Sequence, residues 1–390
     1  MKKILLVGTS FSAAPLAECL IKMGYSLHTC GNQAQDPCVS WAGEHHCFDY
    51  SNPDLLLELV KKENYSAILP TCNDDSYLSV IKVAEILGLP GFDSVETTLI
   101  LHDKFKFRSF ASSHSIPVPK IWDYGSGSET PNASDYPLLV KPVDSFSGKG
   151  ITKLLNKDGL HEAIHIAKLH SRSKSYVIES FLNGSLHSHS AFIKKTKIER
   201  EFFVDEFCTV YPYQVNSSNC PSSLDNQVRI LIRQYIENLS TLLGLADGLL
   251  HTQFIVSDGK PYLVECMRRC PGDLFYHLVS FSTENAYISN YLRPFLGKPY
   301  VFLSDDKQIP WARHTISMPD DAVVYGYSVE GGAEETRFFQ LSESGSLIKK
   351  APYGKVAIFL TRYQSLEQLY TNTKILANKV SLYTNRSSLL

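Results

Sequence analysis

The sequence predicts an α/β chain with an α+β middle, and three observations carry that reading. Apolar runs alternate with helical periodicity between residues 3 and 87, a Gly/Ser-rich loop follows an apolar strand near residue 141, and a hairpin pattern brackets Ser257–Lys260. At 390 residues the chain has room for several domains of roughly 100–200 residues each.

The elements follow in order. Lys3–Gly8 is an apolar strand, Ser12–Gly24 a helix with Leu16, Cys19, Leu20 and Met23 on one face, and Tyr25–Cys30 a second strand. Asn52-Pro53 opens another helix, with Asn as N-cap and Pro at the first helical position. Ser66–Pro70 is a third strand and Asp75–Leu87 a third helix, closed by Gly88. Strands alternating with helices imply a parallel sheet covered on both faces. The turn Gly8-Thr9-Ser10 lacks the spacing of a dinucleotide loop and reads as a tight strand-to-helix turn. Beyond Asp93 the pattern changes. Thr98–Ser115 is helical, Asp123–Ser134 a loop, Tyr136–Lys141 and Ile151–Leu155 strands, and Asp158–His170 a helix. Tyr176–Ser180 is a strand, a meander runs through Leu186–Phe207, and Leu224–Leu243 is a long amphipathic helix. Leu249–Val256 and Pro261–Glu265 form the hairpin, and a tail of short strands ends in a helix near Ser365–Lys379.

Composition narrows the function classes. A hydrophobic fraction of 44% with 20% charged residues is an ordinary globular balance, enough for large cores. The net charge of −2 supplies no global field for nucleic acid or an acidic membrane, so neither is an expected partner. There is no run of ~18 apolar residues, and the apolar stretch after Lys3 is too short for a secretory signal. Nine scattered cysteines without a CxxC pair read as reduced thiols in the cytoplasm. Cys38, His45, His46 and Cys47 are zinc-ligand types, but their spacing fits no standard site and zinc is not expected there.

Three features carry chemistry. Lys104 and Lys141 are lysines that could hold phosphate oxygens as point charges, although a lone lysine is ordinarily just solvated. The loop Asp144–Gly150 could present backbone N–H groups to phosphates or flex as a lid, although read alone it is more readily a hairpin turn. Gln253 and Glu265 lie on partner strands of the hairpin, where oxygen ligands suit Mg²⁺, with Arg268 and Arg269 just beyond. Their plain reading is a cross-strand polar pair with solvated arginines.

Taken in order, Lys104, Val140-Lys141-Pro142, Ser145–Gly150, Val177–Gly184 and Leu263-Val264-Glu265 with Arg269 resemble the ATP-grasp superfamily, its carboxylate–amine ligase and biotin-carboxylase-like branches. The resemblance implies a Rossmann-like pre-ATP-grasp domain (1–95), a two-subdomain ATP-grasp fold (96–300; subdomains about 110–178 and 179–300) and a small α+β C-terminal domain (301–390). It implies that Lys104 and Lys141 contact ATP phosphates and that Ser145, Ser147, Gly148 and Gly150 form the phosphate loop. Glu179 would begin the hinge, with main-chain groups of Ser180, Phe181 and Leu182 at the adenine edge. Glu265 would be the principal Mg²⁺ ligand and Gln253 the second, with Mn²⁺ an alternative ion; Arg269, Arg268 and Lys141 would serve the chemistry. The implied reaction joins a small carboxylic or amino acid to an amine through an acylphosphate, and a homodimer is compatible with it.

The chain departs from the family pattern at three places. Leu186 stands where a ribose-binding glutamate is usual, with His187 and His189 as candidate substitutes. Gln253 replaces the first metal carboxylate, and Met267 replaces an asparagine, with Asp273 as a candidate replacement. Asn73, Asp74 and Asp75 read as a helix cap and first turn, or as an amine-holding group; Arg313 and His314 are further candidates to face the pocket. These departures keep two alternatives open: a bicarbonate-activating carboxylase, and a nucleotide-binding regulatory protein without turnover.

Overall fold

In the computed structural model, which describes residues 2–122, 131–305, 307–330 and 333–386, four parallel strands open the chain. β1 (Lys3–Val7), β2 (Ser26–Cys30), β3 (Glu44–His46) and β4 (Ala67–Pro70) lie in the order β3-β2-β1-β4. Ile4–Val7 is wholly apolar and buried, as a strand covered on both faces requires. Leu5 and Val7 pack with Leu56 and Val60 of α2 (Pro53–Glu63) and Val80 of α3 (Asp74–Leu87). Ile4 and Leu6 face Leu16 and Leu20 of α1 (Ala14–Lys22). Asn52 and Asn73 cap their helices by accepting from the amides of Asp54 at 3.0 Å and Ser76 at 2.7 Å. The sequence did not predict β3, which is short, polar and at the sheet edge, so it leaves no apolar run to read.

The single helix expected over Thr98–Ser115 is two, α4 (Val95–His102) and α5 (Lys104–Ser113). Asp103 breaks them: its backbone is extended, and its carboxylate caps α5 by accepting from the Lys106 amide at 2.9 Å. A second, antiparallel sheet of β5 (Ile121–Trp122), β6 (Leu138–Pro142), β7 (Thr152–Leu154) and β8 (Tyr176–Ser180) has the order β5-β8-β6-β7. Helix α6 (Leu160–His170) packs on it through Ile164 and Ala167. Residues 123–130 of the expected loop Asp123–Ser134 lie outside the described residues, and Ala133–Asp135 is a 3-10 turn.

The third sheet has eight antiparallel strands: β9 (Ser185–Lys194), β10 (Lys197–Phe207), β11 (Ser217–Cys220), β12 (Gly248–Ser257), β13 (Lys260–Met267), β14 (Trp311–Ile316), β16 (Glu335–Gln340) and β18 (Ala357–Arg362). Their order is β13-β12-β9-β10-β11-β14-β18-β16, so three strands of the tail continue the sheet that holds the hairpin. A small sheet of β15 (Ala322–Val329), β17 (Ser346–Ile348) and β19 (Val380–Thr384) completes the tail. The last helix is shorter than expected: α10 ends at Thr373, having begun at Leu366, and a 3-10 turn follows at Leu376–Lys379.

One face of the large sheet packs through Ala191, Phe203 and Phe254 against α5 and α7 (Asn226–Leu242). The other face packs through Phe192, Phe202 and Leu249 against α8 (Phe275–Thr283) and α9 (Tyr287–Leu292), in a core continuous with that of the N-terminal sheet. Sequence periodicity missed α8 and α9 because Tyr276, Leu278, Val279, Tyr287 and Tyr291 are buried on more than one side, leaving no polar stripe. Among the described residues no helix is long and apolar enough to cross a membrane.

A buried ion pair locks the N-terminal unit to the large sheet. Arg268 Nε donates to Asp93 Oδ2 at 2.6 Å and Nη2 to the Ala246 carbonyl at 2.7 Å, with both side chains 2% exposed or less. Asp93→Ala should therefore cost roughly 3–5 kcal/mol, because the guanidinium is left buried without its counter-charge. Urea unfolding checks this; a loss below ~1 kcal/mol would mean that water already solvates the pair.

Candidate active site

Paired residues on an antiparallel sheet share a face, as do residues two apart on one strand. Glu265 pairs with Gln253, Gln253 with Ser188, and Ser188 with Val204, two residues from Glu206. Glu206 in turn pairs with Ser218, and Ser218 with Arg313. A polar row thus crosses six strands, from β13 to β14, on the face that carries Leu249 and Phe202 and meets the N-terminal core. Gln253 donates to Glu206 Oε2 at 2.6 Å, and Arg313 donates to Ser218 Oγ and the Asp273 carbonyl, both at 2.8 Å. Burial raises the Glu206 carboxyl above its ordinary range, against the opposing pull of Ser188, Arg313 and Gln253.

One lysine touches this row, and a second stands on the neighbouring small sheet. Lys104, at the start of α5, donates to the Ser145 carbonyl at 2.8 Å and lies 3.2 Å from Glu265 Oε1. It therefore touches both the glycine loop and the hairpin. Lys141, on β6, is bonded to Glu179 on β8, and Arg108 Nε donates to the same carboxylate at 3.2 Å. Burial, with Arg108 and Lys104 nearby, outweighs Glu179 and pushes the Lys141 ammonium down to about 8. Burial also works to raise Glu179, but Lys141 and Arg108 hold it below the usual range.

The Glu179 side chain is thus committed to two cations rather than to a ligand. The Ser180 and Phe181 amides are committed as well, to the carbonyls of Lys120 at 2.9 Å and Pro137 at 3.0 Å. Of the three hinge amides, that of Leu182 has no acceptor among the described residues.

The loop conformation explains its composition. Ser147, Gly148 and Gly150 have φ of 56°, 73° and 76°. A Cβ on Gly148 would meet the Tyr213 carbonyl at 2.5 Å, and one on Gly150 would meet His170 Cβ at 2.7 Å. Tyr211 donates its hydroxyl to the Gly148 carbonyl at 3.2 Å, and Ser145 Oγ donates to the Lys149 carbonyl at 3.2 Å. The loop is seated on the Tyr211–Tyr213 segment.

Several expected residues stand elsewhere. Arg268 is a correction: just past the end of β13, its guanidinium is committed to Asp93 and the Ala246 carbonyl. His187 and His189 are also corrected as ribose substitutes. They pair with Phe254 and Thr252 on the far face, where His187 bonds Ser185 at 2.7 Å and Asp205 at 2.9 Å and His189 bonds Glu201 at 2.9 Å. Leu186 does lie on the row's face, beside Glu206. Asp273 contacts Lys355 rather than standing in at Met267, which pairs with His251. His314 is on the opposite face from Arg313, bonded to Ser217 Oγ at 2.7 Å. Arg269 grips Asp74 in two bonds of 2.6 and 3.2 Å, and His102 lies 3.4 Å from the same carboxylate. Asn73 is the cap of α3, Asp74 and Asp75 sit in its first turn, and Asp75 pairs with Arg172 at 2.6 Å, so the helix-cap reading of this triplet holds.

Sequence reasoning missed Arg108 and Glu206. A signal existed for Arg108, which interrupts the apolar face of Phe107 and Ala111; Glu206 had none, since Asp205 separates it from the apolar run Phe202–Val204. Open hollows of about 540 Å³ beside Tyr325, Tyr327 and Phe338, and about 440 Å³ beside Arg200, Arg229 and Arg233, lie away from Lys104, Lys141 and Glu265.

The donor set fits a magnesium–polyphosphate group. Glu265 is about one-third exposed, Gln253 and Glu206 add two neighbouring oxygens, and the Lys104 ammonium links them to the glycine loop.

A family model described as an ATP-grasp domain matches residues 101–272. Formate-dependent phosphoribosylglycinamide formyltransferase from Prochlorococcus marinus strain NATL1A is 30% identical over 312 residues, 76% of this chain and 77% of that protein. The enzyme of the same name from strain MIT 9313 is 26% identical over 193 residues, 47% of this chain, and the match spans about half, 49%, of its length. Among solved structures, an L-amino acid ligase from Bacillus licheniformis superposes with a TM-score of 0.81 over 98% of both chains at 18% identity.

A polyphosphate beside Lys141 should return its ammonium from about 8 toward the ordinary range near ~10.4. Nucleotide binding is therefore expected to take up a fraction of a proton between about pH 8 and 10. Calorimetry at pH 8.5 in buffers of different ionisation enthalpy measures it, and proton release there would place Lys141 away from the phosphates.

Proposed function

The chain belongs to the ATP-grasp superfamily, and on that premise we propose that it is an ATP-dependent carboxylate–amine ligase, ADP-forming, working through an acylphosphate. The observation that supports this most directly is Lys104, whose ammonium joins the glycine loop at Ser145 to the hairpin carboxylate Glu265. A loop for phosphates and a carboxylate for their counter-ion meet at one cation, as phosphoryl transfer between two anions needs.

In this reading a carboxylate oxygen of the small acid attacks the γ-phosphorus, and the bond to the bridging oxygen of ADP breaks. The amine nitrogen then attacks the acyl carbon, inorganic phosphate leaves, and the amine gives up its proton. Lys104 and Lys141 hold phosphate oxygens, and the loop Ser145, Ser147, Gly148 and Gly150 keeps water from the acylphosphate. Glu265, Gln253 and Glu206 are the residues that would hold Mg²⁺ or Mn²⁺, which supplies charge neutralisation at the phosphate oxygens. Arg269 is assigned to the transferred phosphoryl group, and the Leu182 amide to the adenine edge. The relatives are named for formate-dependent formyl transfer and for ligation of L-amino acids, and both names accord with a small activated carboxylate. Three working parts, 1–95, 96–300 and 301–390, are retained as functional units, the last completing the large sheet. Nine free cysteines support a reducing, cytoplasmic setting.

Mg·ATP supplied with pooled amino acids or formate, with and without amines, tests the reaction by release of ADP and phosphate. Release that needs both a carboxylate and an amine supports ligation. Release with bicarbonate alone, or none with any pair, overturns it. Glu265→Ala is expected to abolish turnover while circular dichroism and urea unfolding stay unchanged; full turnover would sink its metal role. Glu206→Gln should raise the Mg²⁺ requirement about 10–100-fold, the loss typical of removing a partner of a metal site. An unaltered requirement would leave Glu206 a purely structural group.

A further inference from the structure

The edge of the parallel sheet carries a second cluster, which the ligase chemistry does not use. β2 and β3 run parallel, with His28 paired to Glu44 and Cys30 to His46, so His28, Glu44 and His46 project from one face. One oxygen of Glu44 lies 3.4 Å from His28 Nδ1 and the other 3.8 Å from His46 Nδ1. One ligand atom from each of the three residues lies within 4.8 Å of the others. Ligands held at 2.0–2.1 Å on a tetrahedral ion stand roughly 3.4 Å apart, so this set closes on an ion with little movement.

Tyr65 gives an independent indication. Its hydroxyl lies 2.8 Å from His46 Nε2, leaving Nδ1 of that ring free to face Glu44. An imidazole that ligates through one nitrogen and is held through the other by a polar neighbour is the usual outer arrangement of a metal-bound histidine. The same hydroxyl is 3.2 Å from His28 Nδ1, the bond an ion would replace. The nearest cation, Lys3, is already engaged, by Glu63 at 2.9 Å, and stands 5.3 Å from the Tyr65 ring centre.

This set shares only His46 with the zinc-ligand types Cys38, His45, His46 and Cys47, whose spacing fits no standard site. Cys38 points its thiol at the Ser10 carbonyl at 3.6 Å, and His45 faces away from His46, bonded to Thr29 Oγ1 at 2.9 Å.

We propose that His28, Glu44 and His46 form a binding site for a first-row divalent cation of the zinc class, open to water at the fourth position. Two imidazoles and one carboxylate select zinc, cobalt or nickel over magnesium, which prefers an all-oxygen shell. The ion would clip the three-residue edge strand β3 to β2, bridging residues 28 and 44–46. A bound ion stabilises only the folded chain, so it raises the melting temperature.

The test uses the full chain, stripped with chelator and held in excess Mg²⁺ so that the hard-oxygen site is filled. Titration with ZnCl₂ by calorimetry should show a single tight equivalent and a rise in melting temperature, and Co²⁺ should give the visible spectrum of a tetrahedral site. His28→Ala and His46→Ala should each lose that equivalent. Glu44→Gln, at an exposed edge position that tolerates change, should weaken it about 10-fold or more. Glu265→Ala should keep it. Zinc uptake unchanged in Glu44→Gln and His46→Ala, uptake lost in Glu265→Ala, or no uptake by the parent chain would each overturn the site.

Discussion

Glu179 is shared between two buried cations, and through them three parts of the molecule are held in one relation. Lys141 reaches it along the small sheet, and Arg108 reaches it from α5 while donating from Nη2 to the Val264 carbonyl on β13 at 2.5 Å. The loop that follows Lys141, the hinge that follows Glu179 and the hairpin that carries Glu265 therefore take their positions from one carboxylate. A buried charge left without its partner costs several kcal/mol, so each member of the cluster requires the others. Burial, with Arg108 and Lys104 nearby, pushes the Lys141 ammonium down despite Glu179, because one carboxylate is shared by two cations.

The polar row across the large sheet shows how a neutral substitution is accommodated. Gln253 alone would weaken a metal site, but its amide nitrogen is held by Glu206, which brings a second carboxylate onto the same face as Glu265. Pairing of β10 with β9 and of β9 with β12 sets that meeting, and the tail strand β14 adds Arg313 to the far end of the row. Residues of the tail thereby belong to the same surface as the hairpin. The core beneath is continuous with the N-terminal sheet, so Arg269 and Asp74, far apart in the chain, meet at the junction.

Much of the site was legible in short stretches. Lys104, Lys141, the glycines of the loop and Glu265 each stand in a local pattern, and the structure brings Lys104, the loop and Glu265 into contact. Arg268 was misread because two consecutive arginines look alike in sequence, whereas the fold gives them different acids, Asp93 for Arg268 and Asp74 for Arg269. His187 and His189 were misread because strand alternation sets them one residue out of phase with Leu186. Glu206 escaped notice because its partner Gln253 is 47 residues away, and nothing within a strand announces its neighbour across the sheet.

The sequence by itself determined the alternation of strands and helices, the helix caps at Asn52 and Asn73, the turn-forming glycines and the order of the segments assigned to phosphate in the proposed reading. Each of these depends on residues a few positions apart, where φ preferences, capping and periodicity act. Only the tertiary structure decided which carboxylates share a face, which acid holds each arginine, and that His28, Glu44 and His46 converge at a sheet edge. Those outcomes depend on strand register and pairing between distant segments, and a shift of one residue in register would turn every side chain to the other face.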